Sequence, residues 1–229
     1  MSGETPLVSI IVPVYNEEEL VEEVLQRLGK LREKLNAEII VIDDGSTDDS
    51  VQKIKEFSWA KLICHKKNLG KGKAIATGVT CSKGQIIIIQ DADMEYPPED
   101  IPKIIKPIIE GRADVVYGSR FLGRNEGMSF SHRLGNKILS LAASLLYRIK
   151  ITDIMTGHKA FLRNFINPSD FKECGFGIEI EVTAKLLRQK LRFLEIPISY
   201  SYRRKGCSKI SYKDGIKCLL KIFISRFTY

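Results

Sequence analysis

Three carboxylates stand two residues apart at the end of the most apolar segment of the chain. Asp91, Asp93 and Glu95 follow four isoleucines and Gln90. Alternate side chains of an extended segment point the same way, so these three would share one edge if the chain stays extended. Carboxylates a few ångströms apart repel one another, and a hard divalent cation relieves that repulsion. The spacing predicts a metal site; the alternative is an acidic turn before a helix that starts near residue 97.

A second acidic segment, residues 41–48, reads Val-Ile-Asp-Asp-Gly-Ser-Thr-Asp. In nucleotide-binding α/β sheets, a carboxylate at such a strand end accepts hydrogen bonds from a ribose or a base. In a second interpretation, Ser46 or Thr47 caps the following helix and the aspartates favour its N-terminus. Both interpretations are compatible, and Asp44 is the candidate ligand-binding residue.

These acidic segments need elements that hold them, and the hydrophobic pattern predicts such elements over residues 1–120. Short apolar strands are expected at residues 7–14, 38–43, 61–65, 85–90 and 114–118, with helices between them, the first at 17–35. This alternation is typical of a doubly wound, mostly parallel α/β sheet flanked by helices. Such sheets bind ligands at the carboxyl ends of their strands, where the acidic segments lie.

The pattern changes after residue 120. A long amphipathic helix or helix pair is expected at 128–150, a loop at 151–158 and a helix at 179–190. An extended segment at 193–202 and an amphipathic helix at 214–229 complete the chain. Because no linker interrupts it, we expect one domain over 1–229, with C-terminal amphipathic helices.

Charge divides the chain in the same place. Residues 1–120 carry 16 Lys and Arg against 20 Asp and Glu, whereas residues 121–229 carry 20 against 8. An acidic part suits a cation site, and a basic part suits an anionic partner such as nucleic acid, phosphate or a membrane surface. The ordinary globular composition, 44% hydrophobic and 28% charged, excludes a disordered chain, a collagen and a disulfide miniprotein.

Five cysteines without a Cys-x-x-Cys pair favour a reduced, intracellular protein without a cysteine-based zinc site. The start of the chain lacks the pattern of a signal peptide, and the apolar runs have the length of strands. We therefore expect a chain that does not cross a membrane by itself.

Five motifs, taken in order, resemble family 2 glycosyltransferases. They are residues 12–17 (Val-Pro-Val-Tyr-Asn-Glu), 41–48, 68–74 (Asn-Leu-Gly-Lys-Gly-Lys-Ala), 91–99 with Asp-Ala-Asp and Pro-Pro-Glu, and 117–120 (Tyr-Gly-Ser-Arg). Within that family the chain is similar to the dolichyl-phosphate mannose and glucose synthases, over about residues 6–217. The resemblance implies a GT-A fold and metal-dependent, inverting transfer of a sugar from GDP-mannose or a UDP-hexose to a polyprenyl phosphate.

The resemblance also implies roles for single residues. The nucleotide-sugar site would contain Pro13, Tyr15, Glu17, Asp44, Lys73 and Asp91. The ligands of Mg²⁺ or Mn²⁺ would be Asp91, Asp93 and Glu95, the last standing where mannose synthases often have Gln. Asp93, Arg120 and Arg133 would be catalytic.

Two further sets come from the same resemblance. The acceptor phosphate would meet Arg120, Arg133, Arg203, Ser208 and Lys209, and arginine suits this role because its planar fork holds two phosphate oxygens. The loop beside the sugar would contain Asp153, Thr156 and Gly157. The following His158-Lys159 departs from the aromatic pair common in mannose synthases, so the identity of the sugar stays open.

The lipid tail of such an acceptor would explain the amphipathic pattern of the C-terminal helices. In segment 214–229, one face is apolar (Ile216, Leu219, Leu220, Phe223, Ile224, Phe227) and the other polar (Lys217, Lys221, Ser225, Thr228). Segment 128–150 is similar, with Leu134, Ile138, Leu141, Leu145 and Leu146 beside basic residues. This pattern predicts peripheral attachment to the anionic, cytoplasmic face of a membrane; packing of both helices on the core is the alternative. A membrane-anchored partner subunit or a homo-oligomer is left open.

Three other functions fit the sequence less well. A nucleic-acid-binding protein would use the basic half, but its usual motifs are missing and the acidic strand end would be unexplained, so we expect no nucleic-acid partner. A nucleotidyltransferase would need a glycine-rich loop after the first strand, where Tyr15-Asn16-Glu17 stands. A family 2 enzyme acting on a soluble or polysaccharide glycan would need a carboxylate base, which a polyprenyl phosphate does not.

Overall fold

The computed structural model describes residues 6–171, 175, 177–201 and 212–228. The strands predicted at 7–14, 38–43, 61–65, 85–90 and 114–118 are present to within one or two residues. All but the third are short, largely buried runs rich in β-branched residues. The strands are β1 (Val8–Val14), β2 (Ala37–Asp43), β3 (Lys61–Cys64), β4 (Ile86–Ile89), β5 (Val115–Ser119), β6 (Asn125–Glu126), β7 (Lys159–Leu162), β8 (Phe193–Pro197) and β9 (Tyr200–Ser201).

The helices follow the predicted order with shorter ends. They are α1 (Val21–Arg32), α2 (Ser50–Lys55), α3 (Lys71–Cys81), α4 (Ile101–Ile109), α5 (Phe130–Tyr147), α6 (Ile178–Leu187) and α7 (Tyr212–Thr228). Helix α1 begins four residues later than expected, since residues 17–20 form a turn in which the amide of Leu20 donates to the carbonyl of Glu17. Segment 128–150 forms the single helix α5.

Seven strands form one sheet in the order β3-β2-β1-β4-β7-β5-β8. All neighbours are parallel except β7, which runs antiparallel to both β4 and β5. The carboxyl ends of β1, β2, β4 and β5 therefore lie along one edge of the sheet, which we call the carboxyl edge. Strands β6 and β9 form a separate parallel pair. The expected doubly wound, mostly parallel architecture is confirmed.

Two hydrophobic layers cover the faces of the sheet. Ile10 and Val12 of β1 face the layer that contains α1 and α4, whereas Ile11 faces the layer that contains α3 and α6. A third cluster joins α5, α6 and α7 through Leu139, Ile180 and Ile222 among others. The sheet and its helices thus give the carboxyl edge a rigid base.

The outer sides of α5 and α7 are apolar and exposed. We call these nine side chains the α5–α7 apolar surface: Phe130, Leu134, Ile138, Leu141 and Leu145 of α5, and Ile216, Leu220, Phe223 and Ile224 of α7. Phe130 is 80% and Leu145 71% exposed. The two helices pack against each other through other residues. Ser225, which we predicted on the polar face of the C-terminal helix, is buried. None of the described helices combines the length and apolar character needed to cross a membrane.

Candidate active site

The loops that follow β1 and β2 are tied together at the carboxyl edge. The amide of Asp44 donates to the carbonyl of Val14 (2.8 Å), and the side chain of Asn16 accepts the amide of Thr47 (2.8 Å). Asn16 itself has a left-handed backbone, with a φ of 53°. Of the predicted nucleotide-binding residues nearby, Tyr15 is 37% exposed, Pro13 is half-buried and Glu17 is buried. Tyr15 is therefore the member of this set with the most accessible side chain.

Asp44 is engaged inside the protein. Its Oδ1 accepts the amide of Leu69 (3.0 Å) and bonds the Nδ1 of His65 (2.7 Å), and its Oδ2 accepts the amide of Gly70 (2.7 Å). The carboxylate thus holds the turn that precedes α3. The predicted contact of Asp44 with a ribose or base stays a prediction, because these partners already bind both of its oxygens.

The acidic segment after β4 is a turn. Met94 has a left-handed φ of 59°, and Asp93 accepts the amide of Glu95 at 3.1 Å. The condition under which Asp91, Asp93 and Glu95 would share one edge, an extended chain, is not met, because a local side chain to backbone bond accompanies a turn here. Their predicted role as metal ligands stays a prediction. Glu95 is hydrogen-bonded to the hydroxyl of Tyr200. Within the described ranges, no group of three or more potential ligands is already gathered around one point.

The predicted electrostatic repulsion is nevertheless present. Burial, followed by the charges of Asp91 and Glu95, raises the pKa of Asp93 to about 7. A nearby cation stabilises the charged form of a carboxyl group whose pKa is raised in this way. Carboxylate oxygens are also the donors that Mg²⁺ and Mn²⁺ take, so the residues present fit a divalent cation.

Lys71 is the cation that the structure places beside this segment. Its Nζ lies 2.7 Å from Oδ1 of Asp91 and 3.0 Å from Oε1 of Glu179. Burial alone would lower the pKa of Lys71, but the two carboxylates raise it above its ordinary value. Lys73, which we predicted near the diphosphate, is exposed. Both lysines belong to the same basic turn, and the sequence alone could not tell which one faces inward.

Glu179 also binds a second lysine. The Nζ of Lys159, which is fully buried at the start of β7, lies 2.5 Å from Oε2 of Glu179 and donates to the carbonyls of Ile154 (3.0 Å) and Thr156 (2.5 Å). Burial lowers the pKa of Lys159, and the carboxylate opposes that shift. Asp91, Lys71, Glu179 and Lys159 form what we call the charge chain. Only Asp91 among these four residues was predicted as a site residue, since pairing of the others depends on burial that the sequence does not show.

The predicted sugar loop lies directly against Asp91. A β-carbon at Gly157 would collide with Oδ2 of Asp91, so only glycine permits this approach. The amide of Gly157 donates to the hydroxyl of Tyr96 (3.2 Å). His158 is buried, bonds Gln90 at 2.9 Å and has its pKa lowered to about 4 by burial. The structure thus brings the loop containing Asp153, Thr156 and Gly157 to the acidic strand end.

Arg120 and Asp153, predicted for different subsites, form one buried ion pair. Nε and Nη2 of Arg120 each lie 2.7 Å from an oxygen of Asp153, which also accepts the Arg120 amide at 3.0 Å. The guanidinium lies 5.4 Å from the ring centre of Tyr200. Arg120 therefore anchors the loop, and its predicted contact with an acceptor phosphate stays a prediction.

The other predicted phosphate-binding residues lie elsewhere. Arg133 is exposed in the first turn of α5, which is capped by the Ser129 side chain. Arg203, Ser208 and Lys209 fall outside the described residues.

Known proteins resemble this chain in sequence and in fold. Residues 9–168 match the Glycosyl transferase family 2 model. Dolichol-phosphate mannosyltransferase of Pyrococcus furiosus is 33% identical over 94% of this chain, which spans 62% of that relative's length. The protein of the same name from Mycosarcoma maydis is 27% identical, over 96% of this chain and 79% of the relative.

A solved structure supports the fold. Glucosyl-3-phosphoglycerate synthase of Mycobacterium tuberculosis, in complex with Mn²⁺ and UDP-glucose, superposes with a TM-score of 0.74 at 19% identity, over 96% of this chain and 79% of the other. This confirms the predicted GT-A fold. Because the family model covers well over half of the sequence, the chain belongs to glycosyl transferase family 2 and is a glycosyltransferase.

Proposed function

We propose that the protein transfers a sugar from a nucleotide sugar to a polyprenyl phosphate, with the help of a divalent cation, at a membrane surface. The observation that carries this proposal is the set of mutually repelling carboxylates around Asp93 at the carboxyl edge. Two relatives are named dolichol-phosphate mannosyltransferase, which supports a dolichyl-type acceptor and mannose as the sugar. GDP-mannose is the donor that the family resemblance implies for mannose. The Mn²⁺ and UDP-glucose bound to the structural neighbour support a cation and leave a UDP-hexose as the other donor.

Asp91 and Asp93 are the residues that would hold the cation in this proposal. A divalent cation, once bound, neutralises the charge that grows on the leaving diphosphate. Tyr15 offers an exposed aromatic ring on which a base can stack, directly after β1, an interior strand of the sheet. The loop at Gly157, which contacts Asp91, would then lie beside the transferred sugar. Residues 1–120 would bind the donor and residues 121–229 the acceptor.

The acceptor needs no general base from the protein. A phosphate monoester has a second pKa near ~6 and is mostly ionised at neutral pH, so its oxygen is already a nucleophile. What the protein must supply is a cationic site that orients it. Arg133 suits this task, because it is exposed in the first turn of α5, where the helix dipole also favours an anion.

The α5–α7 apolar surface supports a membrane-bound acceptor. Segment 130–147 contains Arg133 and Lys137 and has no acidic residue, and α7 contains four basic residues and one acidic residue. Apolar side chains beside basic ones are typical of helices that lie in the interface of an anionic membrane. The cytoplasmic face rests only on the cysteine pattern and stays a prediction.

Product formation tests the chemistry. The protein is incubated with Mn²⁺ or Mg²⁺, a panel of GDP- and UDP-sugars and a short polyprenyl phosphate, and lipid-linked sugar is measured. We expect product with one donor, none in EDTA, and a rate about 100-fold lower for Asp93→Asn, which corresponds to about 2.7 kcal/mol of barrier. Asp114→Asn is the matched control, since it is the same change at the opposite end of the sheet. Full turnover by Asp93→Asn, or product only on soluble glycans, would contradict the proposal.

Vesicle binding tests the membrane surface. We expect Leu141→Glu with Leu145→Glu to abolish co-sedimentation with vesicles containing anionic lipid. The control pair Gln26→Glu and Gln52→Glu adds the same charge on exposed sites of α1 and α2 and should bind like the natural protein. An equal loss of vesicle binding in both variants would show that the added charge alone causes it. No loss of vesicle binding in either variant would exclude this surface as the membrane contact.

A further inference from the structure

Glu179 has no part in the proposed chemistry, yet it lies at the centre of the charge chain. It is buried in the first turn of α6, and its two carboxylate oxygens bind different lysines. One of these, Lys71, continues to Asp91, and the other, Lys159, continues to the carbonyls of Ile154 and Thr156. Glu179 therefore connects the acidic strand end to the sugar loop through two ion pairs.

The contacts close into a ring. Oδ1 of Asp91 meets Lys71, while Oδ2 of Asp91 lies against Gly157, one residue beyond the carbonyl that Lys159 binds. Elements that are distant in sequence, α3, α6 and the start of β7, thus fix one carboxylate from two sides. A displacement of Glu179 would move both Lys71 and Lys159, and with them both sides of Asp91.

Stability alone is a weak reason for this arrangement. Lys159 is fully buried, so it bears the whole cost of desolvation, and Glu179 is nearly as buried. Buried ion pairs can often be replaced by apolar residues without loss of stability, because desolvation offsets the attraction between the charges. The ion pairs also fix the positions of the groups around Asp91. Each oxygen of Glu179 binds one lysine, and each lysine has a second partner at the site.

We infer that Glu179 is a positioning residue for donor binding and transfer. It holds Lys71 on Asp91 and Lys159 on the loop, so that the carboxylate and the loop face the donor in one fixed arrangement. This inference rests on the proposed function, because it assumes that the donor diphosphate and its cation bind beside Asp91.

The test combines nucleotide binding with transfer kinetics in the full chain. Binding of GDP and of UDP is titrated in the presence of Mn²⁺, without acceptor, for the natural protein, Glu179→Gln and the control Glu181→Gln. Glu181 is a buried glutamate on the same helix that pairs with Lys185 instead. We expect Glu179→Gln to raise the Kd for the nucleotide about tenfold and to lower kcat about 30-fold. Glu181→Gln should lower only the melting temperature.

A second variant separates positioning from simple charge balance. Glu179→Gln leaves the buried Lys159 and the half-buried Lys71 with too little negative charge, and Glu179→Gln with Lys159→Met restores the balance without restoring the links. We expect this double variant to regain the melting temperature while kcat stays low. Recovery of kcat together with the melting temperature would overturn the inference, as would unchanged Kd and kcat in Glu179→Gln. A natural protein that binds neither nucleotide with Mn²⁺ contradicts the proposed function itself.

Discussion

The two ends of strand β5 carry the same pair of residues in two different environments. Before the strand, Asp114 binds Nε and Nη2 of Arg192 at 3.0 and 2.6 Å. After the strand, Asp153 binds the same two nitrogens of Arg120 at 2.7 and 2.7 Å. The side chain of Arg192 is 58% exposed, whereas that of Arg120 is 7% exposed. The paired groups are the same, and the exposure of the arginine to solvent is the main difference.

This difference shows where the molecule concentrates buried charge. An exposed ion pair adds little, because water and salt screen it. At the carboxyl edge, the pairs Arg120–Asp153 and Lys159–Glu179 are withdrawn from water, so the loss of one partner leaves an uncompensated charge. Buried ion pairs hold their geometry tightly, which suits the end of the sheet that carries the candidate active site.

The largest effect is expected from Asp153→Asn. The substitution leaves the Arg120 guanidinium buried beside a neutral amide, so the free energy of unfolding should fall by about 3 kcal/mol. Urea unfolding measures the change. Asp114→Asn makes the same substitution at the exposed end of the strand. It should change the free energy of unfolding by no more than about the error of the measurement. Equal losses at both ends would show that burial does not distinguish the two pairs.

A smaller effect is expected from Arg120→Lys. Lysine keeps the charge but cannot span both oxygens of Asp153 or lie flat beside the Tyr200 ring. We expect a loss of about 2 kcal/mol in the free energy of unfolding, as for one hydrogen bond between charged groups. Arg192→Lys should leave the unfolding midpoint almost unchanged. If Arg120→Lys also leaves the unfolding midpoint unchanged, the positive charge alone holds the loop, and the two-pronged guanidinium is not needed.

The smallest effect concerns pH. Glu195 accepts the amides of Thr152 and Asp153, but burial raises its pKa above the ordinary 4.5. The folded protein therefore takes up a proton before the unfolded chain does, so stability increases as pH falls through the raised pKa toward 4.5. When unfolding is followed from pH 7 to 4.5, Glu195→Gln should show a smaller increase than the natural protein, since Asp93, with its pKa raised to about 7, still contributes in the same direction. Arg192 lowers the pKa of Asp114 below its ordinary 3.8, so the stability that Asp114 contributes is lost, not gained, as pH falls below 3.8.

Much of the fold could be predicted because its signals are local. Apolar runs of four to seven residues predicted β1, β2, β4 and β5, and the spacing of leucines predicted α1. Strand β7 was missed, since it has four residues, starts with Lys159 and runs antiparallel between two parallel neighbours. Its place in the sheet depends on partners far away in the sequence.

The same limit applies to the site. The sequence by itself determined the family, the acidic strand ends and the apolar faces of α5 and α7, because residue type and short-range spacing are enough for these. Only the tertiary structure decided that Met94 turns the acidic segment, that Lys71 rather than Lys73 faces Asp91, and that Arg120 meets Asp153. The physical reason is that burial assigns partners to charges, and which charges are buried together depends on how the helices and strands pack.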